Sequence, residues 1–315
     1  MIRFSPYRGF LLLCAASLVV GWRPLAATFS LALQSEAYTH VLLVLPVSAA
    51  LIFSAGGLRV ARPERNFRSG SAVLLVALSI GCLAWIRPGG MGEDLQLSLY
   101  MAGIITWWVG AFIYSFGIHT LQKNAFPLLL LLWMVPLPEF VLGRVVGFLQ
   151  QESASAARML FAAAGVPVVQ DGVVLSIPGL KIEVAKECSS IRSSLMLVVT
   201  SMVMAQLVLR TSWGKAVAIL AAIPLSVIKN AIRIFTVSML TVYVDPGFLN
   251  GRLHHQGGIV FFLAALGVEF ALLVLLAWIE RKATAQPAGS RFKLESAAPI
   301  NPAGRISIAT RETQA

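Results

Sequence analysis

Residues 256–279 read QGGIVFFLAALGVEFALLVLLAWI, an apolar run broken by a single charge at Glu269. A helix needs about 20 mostly apolar residues to cross the hydrocarbon core of a bilayer, and this run has that length and character. Seven more runs of the same kind precede it, at approximately 9–30, 38–56, 70–87, 97–117, 125–143, 189–209 and 215–240. The predicted fold class is therefore an all-α polytopic membrane protein with about eight transmembrane helices. Arg23-Pro24 interrupts the first run, and the fifth is marked by Pro127 near its start and by Pro136 and Pro138 near its end. The first run also follows Arg3 and Arg8 in the manner of a signal peptide, with small residues at Ala26-Ala27. Seven later spans favour its retention as a start-transfer helix.

The composition agrees. Of 315 residues, 57% are hydrophobic and only 12% charged, and the mean hydropathy is +0.80. Soluble domains carry about 25% charged residues, so this chain cannot cover a water-facing surface. The net charge of +11 lies in short loops between apolar runs. That pattern fits topology and anionic lipid headgroups rather than nucleic acid, and no nucleic-acid-binding motif is present.

The loops alternate in charge. One face collects Arg3, Arg8, Arg59, Arg62, Arg65, Arg68, Lys123, Arg210, Lys215, Arg281 and Lys282. The opposite face holds Arg23, Arg87 with Glu93 and Asp94, the 139–188 segment, and Asp245 with Arg252. The positive-inside rule makes the first face cytoplasmic. Both termini are then cytoplasmic, and the second face is non-cytoplasmic. Residues 1–282 are expected to form the membrane-embedded domain. The polar stretch 283–315, with Pro, Ser and Thr, is expected to be a disordered cytoplasmic tail.

The long 139–188 segment is different. Phe140 to Ala164 has helical periodicity with Arg144, Glu152 and Arg158 among small and apolar residues, and predicts a short extracytoplasmic helix ended by Pro167. Val168 to Val184 predicts a β-hairpin before the sixth span. Its turns are Asp171-Gly172 and Pro178-Gly179, and Leu180, Ile182 and Val184 alternate with Lys181 and Glu183.

Three groups are costly in lipid: a thiol and a pair of imidazoles at non-cytoplasmic helix ends, and a guanidinium inside an apolar helix. Cys188 opens the sixth span within Glu187-Cys188-Ser189-Ser190-Ile191-Arg192-Ser193. A thiolate is favoured at a helix N-terminus and beside cations. Arg192 is one turn on, and Ser189 adds a hydrogen-bonding group. Cys14 and Cys82 lie inside apolar runs and read as packing residues. Arg233 stands in the seventh span, where a charge costs about 2.5–3.5 kcal/mol to insert. Lys229, Asn230 and Ser226 share its helix face. A guanidinium there can hold an oxyanion or a carboxylate; the plainer alternative is a packing cation paired with Glu269 or with a lipid phosphate. His254 and His255 precede the last span. An imidazole near a thiol is the usual means of activating it, and spacing does not decide which histidine faces the sulfur.

Taken in order, these stretches resemble the exosortase/archaeosortase family of membrane cysteine transpeptidases over about residues 36–279. Tyr38-Thr39-His40 is similar to that family's Tyr-Ser-His, and Val135-Pro136-Leu137-Pro138-Glu139 to its Pro-Leu-Pro. The segment from Gly165-Val166-Pro167 through Ile177-Pro178-Gly179 to Val184 resembles the stretch leading to its catalytic cysteine. Cys188-Ser189-Ser190-Ile191 resembles its Cys-Ser-Gly-Ile, with Ser190 where Gly is commoner. Asn230-Ala231-Ile232-Arg233 matches its Asn-x-x-Arg, and His254 with Gly258 matches its His followed four residues later by Gly.

The resemblance implies a catalytic set of Cys188, Arg233 and His254, supported by Asn230, Arg192, Ser189 and His255. It implies exported substrates whose C-terminus carries a short motif such as Pro-Glu-Pro, a transmembrane helix and a basic tail. Processing would pass through a thioacyl intermediate, coupled to surface or exopolysaccharide export, with no cofactor and no metal. Two other readings stand beside it. One is a non-catalytic transporter or lipid-binding protein that uses Lys229, Arg233 and Glu269 as a polar path. The other is a metalloprotease using His254, His255 and Glu269. Adjacent histidines point different ways on a helix, and Glu269 lies roughly 20 Å further along the axis, so one ion cannot take all three in a straight helix.

Overall fold

The computed structural model describes residues 6–54, 66–86, 92–184, 191–245, 247 and 258–285. The residues predicted as a tail lie almost wholly outside that set. The last helix runs to Ala285, past the expected boundary at 282.

Helices α1 (Pro6–Val20), α2 (Trp22–Gln34), α3 (Val41–Ser54), α4 (Phe67–Ile86) and α5 (Glu93–Phe116) are followed by the short α6 (Ile118–Lys123) and α7 (Ala125–Leu130). Then come α8 (Glu139–Ala163), strands β1 (Val169–Asp171), β2 (Val174–Ile177) and β3 (Leu180–Glu183), and helices α9 (Ile191–Val208), α10 (Ser212–Tyr243) and α11 (Gly258–Ala285). An apolar helix lies at each of the eight predicted positions, but the count of eight spans does not carry over. Among the described residues, five helices, α4, α5, α9, α10 and α11, are long and apolar enough to cross a membrane, and up to seven spans result if two bent pairs each count as one.

The departures have local causes. The first predicted span is two helices, α1 and α2, bent by 74°. Gly21 occupies the bend, and a Cβ there would lie 2.7 Å from Ile104 Cδ1 and 2.8 Å from the Ser17 carbonyl oxygen. The fifth ends early. A 3-10 turn, Leu131–Met134, follows α7, and the chain turns 96° into α8 at Pro136 and Pro138, where a helix cannot continue. Helix α3, of 14 residues, is shorter than a full span.

The expected outer helix is α8. Its stop is Gly165, at φ 74°, with the Val166 N–H reaching back to the Phe161 carbonyl; this is the left-handed helix end that glycine favours, and Pro167 lies beyond it. The expected hairpin is a three-stranded antiparallel sheet in the order β1-β2-β3, pairing Asp171 with Val174 and Ile177 with Leu180. Gly172 and Gly179 make its turns at φ 58° and 81°.

Antiparallel packing sorts the helix ends into two groups. At one end, Tyr7 of α1 stacks edge-on against Phe116 of α5, and Phe67 of α4 against Tyr114. The Glu280 carboxylate of α11 accepts from the backbone N–H groups of Arg210 and Thr211 ahead of α10. Arg210, Lys215, Arg281 and Lys282 gather there. At the other end lie the starts of α5, α9 and α11, the ends of α4 and α10, and the sheet. Helix α10 has 32 residues, about 48 Å at 1.5 Å per residue, against about 30 Å of hydrocarbon. Its last turns therefore project from the core. There Ala231 and Ile234 pack with Ala154, Ala157 and Phe161 of α8 and with Leu175 and Val184 of the sheet.

Helices α4 and α5 share the most extensive contact in the bundle, and it depends on small residues. A Cβ on Gly70 would fall 2.5 Å from the Tyr114 Cα and 2.6 Å from its nitrogen, so the backbones touch as small residues permit in membrane bundles. Gly81, three turns along the same helix, has nothing within 4 Å of its Cβ position. Gly70→Ala should lower stability by about 1–3 kcal/mol, the usual cost of overpacking, and Gly81→Ala should not. Thermal unfolding of the two variants in detergent checks this.

Candidate active site

The end of the bundle that carries the sheet is built by tying separate stretches to one another. The Tyr38 hydroxyl donates to the Leu137 carbonyl at 2.9 Å, and the Ser98 hydroxyl to the Pro136 carbonyl at 2.6 Å. Asp94 Oδ2 accepts from the Glu139 N–H at 2.6 Å, supplying a negative charge to the N-terminus of α8. His40, 6% exposed, stands edge-on to Trp133 at 5.9 Å. Tyr38-Thr39-His40 and Pro136-Leu137-Pro138-Glu139, about a hundred residues apart, thus pack as one unit.

Two further ties bracket the thiol. Gln150 of α8 donates to the Val184 carbonyl at 2.7 Å, and the Val184 N–H donates to Val173 at 3.0 Å. Val184 is fully buried. On the far side, Ile191 opens α9, and Arg192 faces Glu36 at 3.8 Å. Both partners of that pair are more than half exposed, so it contributes about 0–1 kcal/mol. It also gives Arg192 a carboxylate neighbour that the sequence reading did not foresee.

A largely buried polar contact joins α9 to α10. Lys229 is 5% exposed, and its Nζ donates to the Ser193 hydroxyl in the first turn of α9. Asn230 beside it is 1% exposed. Arg233, half-buried, lies one turn further out on the same face. Counting from Ser212 at 1.5 Å per residue, Arg233 sits roughly 32 Å along α10, about the thickness of the hydrocarbon core. A layer that begins at Ser212 would therefore put it near the far boundary, where a cation costs less than at the centre of the bilayer.

Cys188, Ser189, His254 and His255 lie outside the described residues.

Glu269 takes no part. Fully buried in α11, it accepts from Ser201 of α9 at 2.6 Å, eight residues down α9 from Ser193. The proposed pairing of Arg233 with Glu269 is thus replaced by a carboxyl–hydroxyl contact deep in the bundle. Between the two levels lies a dry layer of Leu197, Ala222 and Ala265 with Leu225, Phe262 and Leu266. A continuous polar path from Arg233 through Lys229 to Glu269 is therefore interrupted. No group of three or more metal-ligating side chains occurs among the described residues.

A family model described as transmembrane exosortase matches residues 22–271. The chain belongs to the transmembrane exosortase family. No curated protein and no solved structure gives a match. The matched region of this exosortase begins with α2 and ends within α11. It takes in the Tyr38–Leu137 clasp, the sheet, and the face of α10 that carries Lys229, Asn230 and Arg233.

The Lys229–Ser193 contact was not visible in the sequence. Lys229 was seen to share a face with Arg233, but its partner is 36 residues away on another helix. Ser193→Ala would leave the buried amine without its hydroxyl and should cost about 1–3 kcal/mol. The double change Ser193→Ala with Lys229→Met should recover part of that loss, as expected for residues in contact. A double-mutant cycle on detergent stability checks both.

Proposed function

We propose that this exosortase is a cysteine transpeptidase or protease that cleaves C-terminal sorting signals of exported proteins at the periplasmic face of the bacterial inner membrane. The observation that carries the reading is the family match across 22–271, together with the cationic face of α10 at the same end of the bundle as the start of α9. The substrates are exported proteins ending in a short motif of the Pro-Glu-Pro kind, a transmembrane helix and a basic tail. Membrane lipids surround the site, and both chain termini are cytoplasmic.

In this reading Cys188 attacks the carbonyl of the scissile peptide. Arg233 holds the oxyanion of the tetrahedral intermediate, where a preorganised donor near low-dielectric surroundings is most effective. His254 passes a proton to the leaving amine, and a thioacyl enzyme remains. His254 then takes a proton from the incoming nucleophile, which releases the acyl group and restores the thiol. Asn230, Arg192, Ser189 and His255 support the set. The site's position supports this chemistry, because a peptide segment just outside a transmembrane helix meets the enzyme at that depth.

Cys188→Ala should accumulate full-length membrane-held substrate at an unchanged enzyme level, read by immunoblot of membrane fractions. Normal processing by that variant would end the cysteine mechanism. Arg233→Lys should lower processing by about 10²-fold or more, the scale of losing one oxyanion donor, because a point charge does not reproduce the planar fork of a guanidinium. Processing should also be lost to thiol alkylation and be indifferent to chelators; the reverse pattern would restore the metalloprotease reading.

A further inference from the structure

A second feature lies on the other side of the bundle. The elbow between α1 and α2 and the facing surfaces of α4 and α5 line a half-open cavity of about 580 Å³, bordered by Arg23, Gly81, Cys82, Trp85, Tyr100 and Trp107 among others. That volume falls within the range of small-molecule sites, about 300–1,000 Å³. Its walls are held in place. Trp107 donates its indole N–H to the Leu13 carbonyl at 2.9 Å, and Trp108 donates to Ser17 at 2.8 Å. The Ser17 hydroxyl in turn donates to the Cys14 carbonyl at 2.7 Å. These polar atoms are already engaged, so the interior offers an occupant little besides apolar surface.

The mouth is different. Arg23 lies against the Trp22 ring at 5.7 Å and forms no ion pair with a carboxylate among the described residues. Trp22 and Trp85 are largely exposed, and Tyr100 stands in the second turn of α5. Tryptophan, tyrosine and arginine at one level are the signature of a membrane–water boundary. This is the end of the bundle that carries the sheet and Arg192. The cavity thus runs from a cationic rim at headgroup depth into an apolar interior.

We propose that this cavity is a binding site for an anionic glycerophospholipid, with one acyl chain between the α1–α2 elbow and α4–α5 and the phosphate on Arg23. A peptide helix is a poor occupant: at about 10 Å across, only some one and a half turns would fill the volume. A hydrocarbon chain fits a narrow apolar space, and the arginine matches a phosphate. The proposal is independent of the cleavage reaction and stands or falls without it.

The test uses the full chain purified from nanodiscs containing equal phosphatidylglycerol and phosphatidylcholine, followed by detergent exchange and quantification of the retained lipid. Wild type should retain phosphatidylglycerol in preference, by about fivefold for one arginine near the surface. Arg23→Gln should abolish the preference while keeping some lipid of either kind. Gly81→Phe, placed where the Cβ has open space, should fill the cavity and remove most of both. Equal retention by wild type, or an unchanged preference in Arg23→Gln, would overturn the site and leave a bilayer-facing gap that any chain enters.

If Gly81→Phe fails to fold, Cys82 supplies a second measurement. In a chain with Cys14→Ala and Cys188→Ala, maleimide labelling of Cys82 should be slowed severalfold by added phosphatidylglycerol and much less by phosphatidylcholine. Labelling that is equal with the two lipids would also overturn the proposal.

Discussion

The contact of the Lys229 amine with the Ser193 hydroxyl joins α9 to α10 at the level where the apolar bundle gives way to the sheet and α8. In a layer without water, a polar side chain has to find its partner within the protein. Lysine on one helix and serine on the next can satisfy each other only if the two helices keep one register and one depth. That register carries Asn230 and Arg233 outward to the boundary. It also places the first turn of α9, which follows the cysteine segment, beside the cationic face. Helix packing alone would hold α9 near α10 but would tolerate sliding; the buried amine does not.

Around this join the chain uses a second device, hydrogen bonds from side chains to the carbonyls of a broken helix. Pro136 and Pro138 interrupt what composition reads as a span, and their neighbours' exposed backbone groups are taken up by Ser98, Tyr38 and Asp94. The break is therefore a built corner that turns the chain by 96° into α8. α8 in turn supplies Gln150 to the last residue of the sheet. The anchors of the cysteine segment are thus fixed by a relay running from α5 and Tyr38 through α8 to Val184. The buried Ser201–Glu269 contact belongs to a different level, separated by the Leu197 layer, and fastens α11 to α9 in the interior.

The proposed cleavage needs a site that meets both a peptide and the edge of the bilayer. The long α10 meets that need by its length: its inner turns span the apolar layer, and its outer turns pack on the sheet and α8. Arg233 falls at the transition. At that depth a guanidinium keeps its charge at modest cost and still acts in surroundings of low dielectric constant. Among the described residues, Tyr38-Thr39-His40, Val135–Glu139 and Asn230–Arg233 lie at this end because antiparallel helices return every second loop to the same face.

The sequence by itself determined the class of the protein and the position of most elements. Apolar runs of span length, the turn pairs Asp171-Gly172 and Pro178-Gly179, and the alternation from Leu180 to Val184 depend only on local composition and period, which a chain carries wherever it folds. The order of motifs likewise sufficed to indicate the family. What the tertiary structure decided were the facts that need two distant stretches at once. Gly21 stands at the elbow, where a side chain would press on Ile104 and on the Ser17 carbonyl. Tyr38 holds Leu137, and Arg192 turns to Glu36. Glu269 pairs with Ser201 rather than with Arg233. Periodicity along one helix says which residues share a face; it cannot say at what depth a neighbouring helix presents its own, and in a medium without water that depth decides which polar groups meet.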